Sequence, residues 1–167
     1  YSIVLDPPGQ DRMFLHDPGA NAAFASQTVP DDALSQASHL HFGYPPLMKT
    51  MIEHDGAELT DLFRRAKSAG LTTSLDLSVP DPNSFAGQVD WSRILSSVLP
   101  YVDDFMPSHD DLRAMFGTST PPESVSKAHH LGASRVVLKC GEEGVLLSDN
   151  TGTSWHRCFP VTVTGAT

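Results

Sequence analysis

The sequence predicts an α/β fold with a doubly wound, mostly parallel sheet flanked by helices and closed by an antiparallel edge. Three observations predict it. Between Ser38 and Lys139, short β-prone runs alternate with amphipathic helical stripes. Glycine or proline punctuates the changes of period. Beyond Lys139 the helical stripes stop, and short strands follow one another with turns between them.

Taken in order, the opening residues from Tyr1 read as a strand, and residues 12–16 (RMFLH) as a second short one. Asp17-Pro18-Gly19 is a turn signal leading into a helix start at residues 20–24, and Asp31-Asp32 open a further short helical stretch. Residues 38–42 (SHLHF) alternate like a strand and stop at Gly43, after which Pro45-Pro46 begin a loop or helix carrying Leu47, Met48, Met51 and Ile52. The clearest helix lies between Asp55 and Gly70, with Leu59, Leu62, Phe63, Ala66 and Ala69 at helical spacing and Gly70 as its stop. Residues 71–77 (LTTSLDL) form the next strand. Pro80, Pro82 and Asn83 then make a polar loop before Asp90 caps a helix bearing Trp91, Ile94, Leu95 and Val98. Pro100 ends that helix, residues 101–106 are a strand, and residues 108–116 a helix closed by Gly117. Thr120-Pro121-Pro122-Glu123 has the form of a capping box with proline in the first turn, opening a helix that stops at Gly132. Residues 135–139 (RVVLK) are a buried strand, and residues 144–148, 154–156 and 160–163 the strands of a closing β-meander.

The 167 residues make one domain, or part of one. Hydrophobic residues at 40% against 19% charged supply enough apolar surface for a core, which argues against disorder. Lys plus Arg number 11 and Asp plus Glu 20, for a net charge of −9, and no basic cluster interrupts that balance, so a nucleic-acid backbone is a poor partner. No apolar run approaches the roughly 18 residues of a membrane helix. The two cysteines, Cys140 and Cys158, are too few for a disulfide framework and lack zinc spacing, which points to a reducing cytosol. Tyr1 within a strand and residues 160–167 (PVTVTGAT) running into a glycine turn read as ends cut from a longer chain.

Three segments in this order carry a resemblance: Asp17-Pro18-Gly19-Ala20-Asn21 after an arginine-bearing strand, Asp76 at a strand end, and residues 137–145 (VLKCGEEGV). The chain resembles the PfkB, or ribokinase-like, carbohydrate kinases along essentially its whole length. Residues 74–80, 89–91 and 99–108 are similar to a sugar-kinase branch. The resemblance implies a partial ribokinase-like domain over residues 1–167, with residues of a small β-lid in about 1–18. It further implies transfer of phosphate from ATP, with magnesium, to a sugar or sugar-acid hydroxyl, and a homodimer contact through the lid. The family's decisive Gly-Ala-Gly-Asp, whose amides cradle phosphate and whose Asp is the base, does not occur in the sequence. Residues 160–167 resemble the strand leading to it, so the catalytic base is unassigned and the chain alone is expected to be inactive.

Residue by residue, the resemblance places Lys139, Gly141 and Gly144 in the nucleotide loop; read by itself, the same stretch is a hairpin turn whose glycines relieve strain. Ser108 and Asp111 stand where the family carries Asn-x-x-Glu, a pair that orders magnesium and phosphate, while Ser-x-x-Asp is equally a helix cap. Asp76 matches a strand-end Asp facing the substrate crevice, or caps a turn. Relatives carry Asn and Arg soon after it where Ser78 and Pro80 stand here, which alters the expected substrate contacts. Asn21 and Arg12 match substrate-side positions, Arg12 suited to an acidic sugar; they also read as a helix cap and a solvated edge-strand charge.

Eight histidines are present without a third ligand at zinc spacing, and are read as surface or packing residues. No Gly-x-Gly-x-x-Gly follows an early strand, which excludes a nicotinamide Rossmann enzyme. Two functions remain open: an ATP-dependent carbohydrate kinase, and a sugar- or nucleotide-binding domain that keeps the fold without the chemistry.

Overall fold

Caps, prolines and left-handed glycines mark the element boundaries in the structure, a computed structural model that describes residues 1–161 apart from 8, 9 and 11. Strands β1 (Ser2–Leu5) and β2 (Met13–His16) pair antiparallel as a separate ribbon, Ile3 opposite Leu15 and Leu5 opposite Met13. The residues after Asp17 form a 3-10 turn, Gly19–Ala23, rather than a helix. Helix α1 (Asp31–Ser35) follows, then β3 (His39–Phe42) and a 3-10 turn at Pro45–Leu47. Helix α2 (Lys49–Ile52) buries Met51 and Ile52.

Helix α3 (Ala57–Ser68) begins two residues later than the periodicity suggests, because His54, Asp55 and Gly56 take successive left-handed backbone angles, φ 52°, 56° and 75°. At Gly56 the turn packs against α4 (Trp91–Val98): an added Cβ would lie 2.8 Å from the Ile94 Cγ2. The apolar stripe of α3 is fully covered, with Leu59, Leu62, Phe63 and Ala66 at 0% exposure. Asp90 caps α4 as expected, its carboxylate accepting from the Ser92 and Arg93 amides. Helices α5 (His109–Phe116) and α6 (Pro121–His130) are capped by Ser108 and Thr120, and Gly117 at φ 69° closes α5.

The main sheet has six strands in the order β3, β4 (Thr72–Leu75), β5 (Asp104–Phe105), β6 (Val136–Lys139), β7 (Val145–Asp149) and β8 (Gly152–His156). β3 to β6 run parallel, and β7 and β8 are antiparallel additions, so the predicted antiparallel edge is present. β5 is only two residues long because a 3-10 turn, Leu99–Tyr101, takes up part of the predicted strand. Of the predicted strand 160–163, residues 160 and 161 are not in a strand and 162–163 lie outside the described residues, as does the rest of 160–167.

Phe42, Leu75, Phe105 and Val136 line up across the parallel strands on one face, which the helices cover. On β3 and β4 the opposite face is polar. His39 bonds Thr72 (2.7 Å) and Ser74 (2.8 Å), and His41 bonds the same Ser74 hydroxyl (2.7 Å). These histidines serve the sheet, and the described residues contain no group of three or more His, Cys, Asp or Glu placed to hold a metal ion. No described helix is long and apolar enough to cross a membrane.

Candidate functional site

Parallel strands in open α/β sheets present their carboxyl ends to ligands, since the loops there leave a crevice. In this chain that edge gathers residues from three distant stretches. β4 ends at Leu75, and Asp76 extends the pairing by donating its amide to the Phe42 carbonyl at 2.9 Å. β6 ends at Lys139, whose amide donates to the Pro107 carbonyl at 2.9 Å and whose backbone bridges Ser108. The Lys139 ammonium then reaches past the short β5 and donates to both Asp76 carboxylate oxygens at 2.7 Å. Asp76 is 14% exposed in its side chain and Lys139 42%, so the pair is shielded on the carboxylate side and open on the ammonium side.

Ser108 and Asp111 sit beside this pair at the start of α5 and form a reciprocal capping box. The Ser108 amide donates to Asp111 Oδ2 at 2.7 Å, and the Asp111 amide donates to Ser108 Oγ at 3.0 Å. Asp111 is 4% exposed. Burial holds its carboxyl above the ordinary carboxylate value; the Ser108 hydrogen bonds and the Lys139 charge oppose that rise, and the Asp76 charge adds to it. Asp111 therefore senses both members of the ion pair. The set can attract a hard cation or order a phosphate, with two carboxylates around one ammonium. Asp111 Oδ1 makes no hydrogen bond among the described residues, and the Ser78 hydroxyl in the loop after Asp76 is buried without a partner.

The turn after Lys139 is closed by Cys140 donating its amide to the Gly144 carbonyl at 2.8 Å. Its two glycines have different reasons to be glycine. Gly141 has φ 57° with nothing within 4 Å of a would-be Cβ, so it answers a backbone need only. Gly144 has φ 106°, and a Cβ there would overlap the His156 carbonyl and lie 2.9 Å from the Arg157 Cα. Close packing of the chain leaving β8 thus accounts for Gly144. Beside the turn, Glu143, Trp155 and Arg157 line a shallow cleft of about 290 Å³. A larger cleft of about 440 Å³, lined by Asp55, Ser92, Arg93, Ser96 and Ser97, contains none of the strand-end residues. The charged groups converge at the strand ends, away from the larger cleft.

Arg12 and Asn21 stand apart from this set. The Arg12 guanidinium lies over the Phe14 ring at 5.5 Å on the ribbon, and Asn21 is exposed in the turn after it. Neither shares a hydrogen bond with Asp76, Lys139, Ser108 or Asp111. Sequence reasoning missed the ion pair itself, because its partners are 63 positions apart and were read in two different roles. It also missed Tyr44, left-handed at φ 64°, immediately before a proline and 49% exposed; its amide lies 3.4 Å from the Asp76 carbonyl. Only the Gly43-Tyr44-Pro45-Pro46 run hinted at a forced bend.

Comparison with known proteins adds the following. The family described as pfkB family carbohydrate kinase matches residues 1–167. Over 64 residues the chain is 34% identical to an ATP-dependent 6-phosphofructokinase of Thermoanaerobacterium thermosaccharolyticum, covering 38% of this chain and 20% of that protein. Over 63 residues it is 27% identical to a 2-dehydro-3-deoxygluconokinase of Haemophilus influenzae, again 38% of this chain and 20% of the relative. Among solved structures, aminoimidazole riboside kinase from Salmonella enterica superposes with a TM-score of 0.74 at 18% identity, over 92% of this chain and 50% of that one. That likeness is one of fold. The chain spans about half the length of this structural relative, and the matches to the curated relatives span a fifth of theirs.

Proposed function

The chain belongs to the pfkB family of carbohydrate kinases, and from that premise we propose that the complete protein transfers the γ-phosphate of ATP to a hydroxyl of a sugar or sugar acid. One observation carries the reading to residues: Asp76, Lys139 and Asp111 converge at the carboxyl edge of the parallel strands. Phosphoryl transfer asks a protein mainly to position its reactants and balance charge. The exposed side of the Lys139 ammonium suits phosphate oxygens, and Asp76 fixes its direction through two hydrogen bonds. Gly141 gives the following turn its left-handed bend. Arg12 and Asn21 are assigned to the sugar side, on the ribbon and the turn that follows it.

Magnesium bound with ATP would neutralise charge on the transferring phosphate, and Asp111, whose Oδ2 accepts from the Ser108 amide and whose Oδ1 makes no hydrogen bond among the described residues, is the carboxylate we assign to it. The hydroxyl of Ser108 is engaged by the Asp111 amide, so its part is to hold Asp111. With no Gly-Ala-Gly-Asp in its sequence, the 167-residue chain by itself is expected to give no turnover. A second copy of the protein is assigned to the ribbon, where Ile3, Val4, Met13, Phe14 and Leu15 are 49–54% exposed. A sugar- or nucleotide-binding role without chemistry is the second reading, favoured by Ser108 and Asp111 standing in place of the family's Asn and Glu and capping α5.

The test is ADP release by the complete protein over a panel of sugars and sugar acids with ATP and magnesium, alongside binding to Lys139→Ala. We expect sugar-dependent release, and an ATP Kd raised about tenfold, equivalent to about 1.4 kcal/mol, with the sugar Kd changed less than about twofold. ATP binding without release for any sugar supports the binding-domain reading. Unchanged ATP affinity returns Lys139 to a structural partner of Asp76.

A further inference from the structure

The two cysteines, 18 positions apart in sequence, meet at one turn. Cys140 opens the turn and donates its amide to Gly144. The chain leaving β8 runs directly over the same turn: the Arg157 Cα lies 2.9 Å from where a Gly144 Cβ would be, and the Cys158 thiol contacts the Gly141 carbonyl at 3.3 Å. Gly141 is the residue next to Cys140. Both thiols are free, Cys158 exposed and Cys140 half-buried with its sulfur 3.7 Å from the Leu138 carbonyl. Residues 157–161 form no strand, so no ladder hydrogen bonds hold Cys158 away from its neighbour.

We propose that Cys140 and Cys158 form a reversible disulfide under peroxide, locking the segment after β8 onto the turn that follows Lys139. Exposure makes Cys158 the first thiol to react. Its sulfur attacks peroxide, the O–O bond breaks, and a sulfenic acid and one water form. The Cys140 sulfur then attacks the sulfenic sulfur, the S–O bond breaks, and a second water leaves. Two thiols lose two electrons and two protons, and peroxide is reduced to water. Burial, with the Glu143 carboxylate nearby, pushes the Cys140 thiol up and lowers its thiolate fraction, which leaves the first step to Cys158, while proximity drives the second. A bridge closing a short loop constrains the unfolded chain, and the oxidised form is expected to melt roughly 5–10 °C higher.

The test treats the 167-residue chain with hydrogen peroxide and follows titratable thiols, intact mass and disulfide-linked peptides, with Cys140→Ser and Cys158→Ser run in parallel. The expected result is loss of both thiols, a monomer lighter by two hydrogens, one cross-linked peptide joining Cys140 to Cys158, and full reversal by dithiothreitol. Cys140→Ser is expected to accumulate a sulfenic acid at Cys158 that dimedone captures. Two separately oxygenated cysteines, cross-links only between chains, or two thiols unchanged by peroxide would each overturn the proposal.

Discussion

Gly144 and Gly141 stand three positions apart in the same turn and face different physical demands. Gly144 combines φ 106° with backbone packed where a side chain would begin, and neither the His156 carbonyl nor the Arg157 backbone is free to swing aside. Gly144→Ala is expected to destabilise the chain by at least about 3 kcal/mol, from strain plus displacement of β8. Gly141→Ala meets open space and carries only the left-handed backbone cost of about 1 kcal/mol. Urea unfolding of both variants measures the difference, and equal losses would contradict it. From the sequence the two glycines were indistinguishable, because a glycine shows that backbone freedom is used without showing what lies beside it.

At the scale of the element, α5 and its cap couple local structure to the site. The Ser108–Asp111 box was legible as a sequence pattern, and the structure forms it in full. What the pattern could not show is that the acidic member is 4% exposed and lies within the electrostatic reach of Lys139 and Asp76. Because the folded chain holds the Asp111 proton more tightly than the unfolded chain does, its contribution is greatest below the ordinary value of 3.8. That contribution falls as pH rises through the raised folded value. Asp103 has the opposite sign: burial alone would raise it, but hydrogen bonds from Lys67 and Thr73 and the Lys67 charge bring it below 3.8, so its contribution is lost on acidification. Asp111→Asn keeps an acceptor for the Ser108 amide and removes only the first effect. Stability of this variant minus that of the parent is expected to rise from about pH 4 toward neutrality, measured by denaturant unfolding across that range. A flat difference would mean that Asp111 titrates as an ordinary exposed carboxylate.

At the scale of the whole molecule, the main sheet buries one face beneath helices, whereas the β1–β2 ribbon exposes both of its faces. An isolated two-stranded ribbon is marginal in water, and its apolar residues exceed what pairing alone requires. Phe14→Glu together with Leu15→Glu places a charge on each face, since neighbouring strand residues point to opposite sides. The double variant of the complete protein is expected to sediment as a monomer while retaining the parent's melting profile at high dilution; an unchanged dimer would remove the ribbon from the interface. Most of the architecture was readable without coordinates: α/β alternation, the antiparallel edge and the caps at Asp90, Ser108 and Thr120 follow from period, propensity and capping, which act over a few residues at a time. The shortening of β5, the left-handed turn before α3 and the strain at Tyr44 were not, because each depends on what packs alongside. Family resemblance, too, was legible in the order of the segments, and the match over residues 1–167 bears it out. The sequence by itself determined the alternation of strands and helices and the family they make, since those signals are local and repeated. Only the tertiary structure decided that Lys139 is held by Asp76, and that Cys158 lies on the turn Cys140 opens. Strand order and chain packing choose those partners, and no local period encodes them.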